Sequence, residues 1–168
     1  MNINEPTPPQ ETAPVWRLAF RAGFLLAGAF AVLGMARWLY WMQSPASWDY
    51  NLDPSWWHAH EMVFGFAMPV VAGFLLTVVA TWTGIPGTSG RRLQLLFGLW
   101  LLARILLWLA PGQLALAWLA EMLFIGFIMF ELTHRVWARR QWRNLLFTPV
   151  LLALAILNAA SYWCADDP

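Results

Sequence analysis

The sequence predicts an all-α fold, a polytopic transmembrane bundle of five helices. Three observations carry that prediction. Of the 168 residues, 60% are hydrophobic and 11% charged, whereas an average soluble domain is about 25% charged. The apolar residues gather into five stretches, each near the ~20 residues that a helix needs to cross a bilayer. Turn-forming or charged segments separate the stretches. A backbone surrounded by lipid must satisfy its own N–H and C=O groups, so each stretch is expected to be a helix. The mean hydropathy, +0.54, agrees.

Residues 1–15 are polar and contain Pro6, Pro8, Pro9 and Pro14. They read as a disordered tail. With two glutamates and no basic n-region, the tail does not read as a signal peptide. The first span is expected at about 16–42, with Arg21 and Arg37 close enough to its ends to snorkel. The second is expected at about 57–82, and Gly84-Ile85-Pro86-Gly87 then turns the chain. Pro69 should kink this span, because it removes a donor and crowds the preceding turn. Gly65 and Gly73 flank it and permit close approach of a helix or ligand. The third span, about 93–110, is broken by Pro111-Gly112. The fourth is expected at about 114–133 and the fifth at about 145–163.

Loop charges orient these spans. Arg91 and Arg92 lie between the second and third, and Arg135, Arg139, Arg140 and Arg143 between the fourth and fifth. Asp49 and Asp53 lie between the first two, and Asp166 and Asp167 near the C-terminal end. The positive-inside rule then predicts a cytoplasmic N-terminus and a periplasmic C-terminus. A bacterial inner membrane is the expected location. Every basic residue is arginine. A net charge of +1 argues against a nucleic-acid partner. Cys164 is the single cysteine, so neither an internal disulfide nor a Cys-x-x-Cys-His haem attachment exists in the sequence. Many of the 13 tryptophans sit near span ends, as interfacial anchors do. Trp100 and Trp118 fall inside spans, where they either face lipid or wall a planar ligand.

The most informative segment is Trp56-Trp57-His58-Ala59-His60-Glu61-Met62 at the mouth of the second span. Ionisable residues are costly near lipid and mark functional sites, and neutral imidazole is the commonest metal ligand. A metal or haem site and a plain interfacial histidine pair both remain open on the residues alone. On a regular helix His58 shares a face with Glu61 and Met62, while His60 points elsewhere. The two histidines therefore cannot both be axial ligands of one haem. The His-Glu-x-x-His pattern of zinc proteases is absent, since Phe64 follows Val63. His134, at the other end of the bundle, reads as a plain interfacial residue. Arg104 and Glu121 lie equally far from the Pro111-Gly112 turn, so they should pair in mid-membrane. Trp100 and Trp108, one turn to either side of Arg104, are placed to stack on its guanidinium. Asn158 and Ser161 read as helix–helix hydrogen-bonding residues.

Several motifs together resemble the NnrS family. They are Phe20-Arg21 leading into Phe24-Leu25-Leu26, then Trp57-His58-Ala59-His60-Glu61-Met62 with Phe64-Gly65-Phe66. Gly73-Phe74-Leu75-Leu76-Thr77, Trp82-Thr83-Gly84 and Arg143-Asn144-Leu145 complete the set. The resemblance covers about residues 16–163. It departs at Ala22-Gly23, where proline is expected. It implies a haem- and copper-associated protein of the bacterial inner membrane, linked to nitric oxide and denitrification. Family members are considerably longer, so the chain corresponds to their N-terminal part. A second copy or a C-terminal half would then complete a haem site.

Under this resemblance the expected cofactor is non-covalent haem b, copper, or both. His58 and His60 are the candidate ligands, Glu61 orients a histidine, and Met62 is a weak ligand. Arg37 meets a haem propionate or Glu61. Nothing in the residues specifies a reaction, and the reading leans away from an enzyme. The rival is a cofactor-free assembly or transport subunit whose Arg104–Glu121 pair is structural. A proton or solute path at that level needs more lining polar residues than five spans offer.

Overall fold

The computed structural model describes residues 13–48, 52–110 and 112–165. The tail up to residue 12, Asp49, Pro111, Asp166 and Asp167 lie outside them, so the expected disorder of the tail and the acidic charges at these positions have no structural counterpart here. Among the described residues all regular structure is helical, and five helices are long and apolar enough to cross a membrane. They are α1 Ala19–Gln43, α2 Pro54–Thr83, α3 Gly90–Leu109, α4 Leu114–Ala138 and α5 Phe147–Ala165. Short 3-10 turns, Pro14–Trp16, Pro45–Ser47 and Trp142–Leu146, lead into or out of them.

The ends of α2 follow from local chemistry. Asp53 precedes Pro54, and its carboxylate accepts the Trp56 N–H at 2.8 Å. This is an N-cap followed by proline at the first helical position, and it starts the helix three residues before the hydrophobic run. At the other end Gly84 adopts φ 66° and returns its N–H to Ala80 O at 2.9 Å. Only glycine takes that left-handed position without strain. The fourth helix runs five residues past the expected 133. Its last two turns carry Glu131 and Arg135, an i,i+4 ion pair at 2.6 Å.

The middle of α2 is not α-helical. Glu61–Ala67 form a π-helix, and the Met68 N–H reaches back five residues to Val63 O. Pro69 explains why. In this register the partner of Phe64 O would be residue 69, which has no N–H to give. The Trp100 indole donates to Phe64 O instead, at 3.2 Å. The distortion expected at Pro69 therefore takes the form of a π segment just before it, with a neighbouring helix supplying the missing donor.

Packing in a bilayer relies on close contact rather than on expulsion of water. The α1–α2 crossing shows this: a Cβ on Gly23 would lie 2.9 Å from the Gly73 Cα, so the two backbones touch. Glycine at position 23, where the family resemblance led to an expectation of proline nearby, is what this crossing requires. Thr77 fastens it. Its hydroxyl donates to Gly73 O at 2.7 Å and accepts the Phe20 N–H at 3.0 Å, capping the start of α1. Helices α2 and α4 form the centre. Helix α2 contacts α1 and α4, and α4 contacts α3 and α5. Leu76, Leu96, Ile128 and Leu132 are fully buried between them. Leu25, Val32, Leu95, Ile156 and Leu157 face outward, as lipid-facing residues do.

Candidate functional site

The α-to-π junction of α2 lies in the core. His60 and Glu61 are 4% and 0% exposed, although they stand among the most polar residues of the span. Arg104 of α3, Glu121 of α4 and Asn158 of α5 are buried around them. Four helices thus contribute to one polar cluster inside an apolar bundle.

Arg104 is its hub. One guanidinium nitrogen donates to Glu61 Oε1 at 2.7 Å, and another is in direct contact with Glu121 Oε1. Asn158 Nδ2 donates to Glu121 Oε2 at 2.6 Å. The His60 ring spans the two carboxylates, with Nε2 3.3 Å from Glu121 Oε2 and Nδ1 3.6 Å from Glu61 Oε1. Charges out of water need this pairing, because an isolated one at such depth costs on the order of 3 kcal/mol or more. The pair expected between Arg104 and Glu121 is therefore one side of a larger group that includes Glu61.

Aromatic rings wall the cluster. Trp56 stacks on His60 at 4.8 Å, Phe64 covers it at 4.8 Å and Tyr162 meets it edge-on at 5.0 Å. The ring that Arg104 lies over is Phe30, at 6.0 Å. Trp100 and Trp108 do not stack on Arg104 as the one-turn spacing suggested. Trp100 serves Phe64 O, while Trp108 packs against Phe30 and Trp57. Trp118 is 38% exposed on the outside of α4. Gly65 admits the Phe30 ring and Glu61: a Cβ there would lie 2.7 Å from Glu61 Oε2.

His58 goes elsewhere. Its ring stacks on Trp38 of α1, with centroids 4.1 Å apart and planes 16° apart. His58 and Glu61, three residues apart on the helix, engage different partners. The backbone between them is still α-helical, with the Glu61 N–H on Trp57 O, and the separation comes from the side chains: the His58 ring stacks on Trp38, and Glu61 is drawn to Arg104. The two histidines do diverge, with His58 directed to α1 and His60 to α4 and α5. The His58 ring is half-buried, and its Nδ1 is buried without a hydrogen-bond partner. Met62 is half-buried. Arg37 lies over three indoles, those of Trp48, Trp57 and Trp108, at 4.9, 5.2 and 5.4 Å. Among the described residues no group of three or more His, Cys, Asp or Glu side chains is arranged to hold a metal ion.

The NnrS protein family model matches residues 14–167. The chain belongs to the NnrS family. Neither the curated proteins nor the solved structures contain a significant match. For this NnrS-family chain the match covers all five helices and every residue of the buried cluster.

Sequence reasoning did not include Phe30 and Tyr162 in the site, and it assigned Trp56 no contact with His60. It also did not identify a second buried group at the arginine-rich end. There Glu131 Oε2 accepts from Thr88 Oγ1 and from Arg135, both at 2.6 Å. Arg135 also donates to Pro86 O at 3.2 Å, fixing the α2–α3 turn to α4. The four-residue spacing of Glu131 and Arg135 was a legible signal for part of it. His134 is exposed and stacks on Phe130.

Proposed function

We propose that this protein binds haem or copper at the acidic-loop end of α2 and acts in the bacterial nitric-oxide response, in the inner membrane. The observation that carries the reading is the family match across the whole bundle, combined with a His-Ala-His-Glu-Met segment held at a π distortion. Such distortions recur at functional sites. Of the two histidines, His58 suits a ligand role better. Its Nδ1 is buried and unpartnered, and a buried nitrogen without a partner is costly unless something engages it. His60 is closed in by three aromatic rings and faces two carboxylates that already share Arg104. Its part is to complete the charge group beneath the site. The residues therefore fit a metal or haem held through one imidazole of this chain. Met62, a second copy, or the C-terminal part of longer family members would supply the further ligand. Glu61 acts by fixing Arg104 and His60 rather than by orienting His58. When bound, such a group supplies a redox-active or nitric-oxide-reactive metal; the chain supplies its position.

A second reading is favoured by the cluster itself. Arg104, Glu61, Glu121, His60 and Asn158 tie α2, α3, α4 and α5 together, which suits a cofactor-free subunit held by buried ions. Spectra and copper content of protein purified from native-like membranes separate the two. The first reading expects a Soret band or stoichiometric copper, lost on His58→Ala. A colourless, copper-free protein overturns it, as does full retention in both His58→Ala and His60→Ala.

A further inference from the structure

At the arginine-rich end an open cavity of ≈ 660 Å³ lies between the last turn of α2 and the α4–α5 connection. Trp82, Arg140, Gln141, Trp142, Arg143 and Asn144 line it. We infer that this cavity holds the phosphate of an anionic phospholipid headgroup.

Charge is the first argument. Among the described residues, Arg140 and Arg143 have no ion pair. The acidic side chain at this end, Glu131, is already engaged by Arg135, Thr88 and Arg92. The cavity is thus cationic and has no carboxylate to receive an ammonium headgroup. Its amides are committed to shape: Gln141 Nε2 donates to Trp82 O, and Asn144 Nδ2 donates to Gln141 Oε1 at 2.9 Å. The guanidiniums remain as donors, and their planar fork matches phosphate oxygens.

Backbone geometry is the second. Helix α4 closes with the Arg140 N–H on Trp137 O and the Gln141 N–H on Val136 O, both at 3.0 Å. This closure puts a left-handed residue at position 140, where glycine is usual. Here it is arginine, at φ 53°. An unfavourable conformation is retained, and it sets a cation on the rim of the cavity.

Position is the third argument. Trp82 stands in the last turn of one span and Trp142 begins another, the level at which tryptophan meets lipid headgroups. Trp82 is held rigid by stacking on Phe147 at 5.6 Å, and Trp142 by edge contact with Trp137 at 5.1 Å. Leu146, 68% exposed beside them, offers an apolar flank for acyl chains. A lipid phosphate meets all these conditions, whereas a soluble phosphate uses only the arginines. Anionic lipids at such a surface attract arginine clusters.

Native mass spectrometry of the detergent-solubilised protein tests this, with phosphatidylglycerol, phosphatidylcholine or inorganic phosphate as probe. Wild type should retain phosphatidylglycerol in preference to phosphatidylcholine, and millimolar phosphate should not displace it. Arg140→Gln/Arg143→Gln should weaken phosphatidylglycerol binding on the order of tenfold or more. Arg91→Gln/Arg139→Gln removes the same charge outside the cavity and should change it little. Equal retention of the two lipids by wild type overturns the inference, and that comparison needs no variant. Equal loss in both double variants indicates diffuse surface charge and also overturns it. Displacement by inorganic phosphate identifies a soluble-anion site and does the same.

Discussion

Arg104 is shared by two buried carboxylates, and that makes the residues of the cluster unequal. Removing Glu121 leaves Arg104 paired with Glu61. Removing Arg104 leaves two buried carboxylates without their cation. Arg104→Met should therefore destabilise by about 3–5 kcal/mol, the range for breaking a buried pair from one side. Glu121→Gln should cost clearly less, because Arg104 keeps Glu61 and the single amide oxygen can still accept from one of the two donors. Adding Glu61→Gln and Glu121→Gln to Arg104→Met should recover much of the loss, since neutral amides do not repel one another. Thermal unfolding of the detergent-solubilised variants measures all of these. Additive costs across the set would show that the three side chains do not form a unit.

At the scale of the element, the π segment of α2 depends on two residues far apart in the chain. Pro69 withholds the donor that Phe64 O lacks, and Trp100 supplies it from α3. A double-mutant cycle makes the coupling measurable. Trp100→Phe should cost about 1 kcal/mol or more in hydrogen bonding alone, because a buried carbonyl is then left unpaired. In a Pro69→Ala background a backbone N–H becomes available near that carbonyl, so the same change should cost less. An unchanged cost of Trp100→Phe in the two backgrounds would separate the proline from the indole and leave the π turn without this explanation. The segment begins at Glu61, directly after both histidines, and its first side chain reaches Arg104. The two histidines lie in the α-helical turns before it, and their two-residue spacing directs them to different neighbours.

For the whole molecule, the exposed surface of the bundle is apolar along the spans and arginine-rich at one end. Arg91, Arg92, Arg135, Arg139, Arg140 and Arg143 all belong to that end, while Asp53 caps α2 at the other. Five crossings put the start of α1 and the end of α5 on opposite sides of the bilayer. We expect the arginine-rich end, and with it the start of α1, to face the cytoplasm. Reporter fusions after Trp163 should then read as external, and fusions in the 84–89 turn as cytoplasmic. The reverse pattern would invert the bundle and move the His58 site to the inner face.

The five helices and their approximate limits were legible in the sequence, because a bilayer requires continuous apolar length and Gly-Pro turns interrupt it. The Asp53-Pro54 start of α2 was equally local, although the hydrophobic run alone hid it. The level of Arg104 and Glu121 followed from counting outward from the α3–α4 turn. The entry of Glu61 and His60 into the same cluster did not, since a regular 3.6-residue period sends His60 away from Glu61's face. Only the tertiary structure decided that α2 changes register from Glu61 onward, because the donor to Phe64 O comes from Trp100, 36 residues beyond Phe64. The same holds for Phe30 under Arg104 and Tyr162 against His60. Composition and spacing report what one helix can do by itself; which side chains share a buried charge depends on how five helices cross.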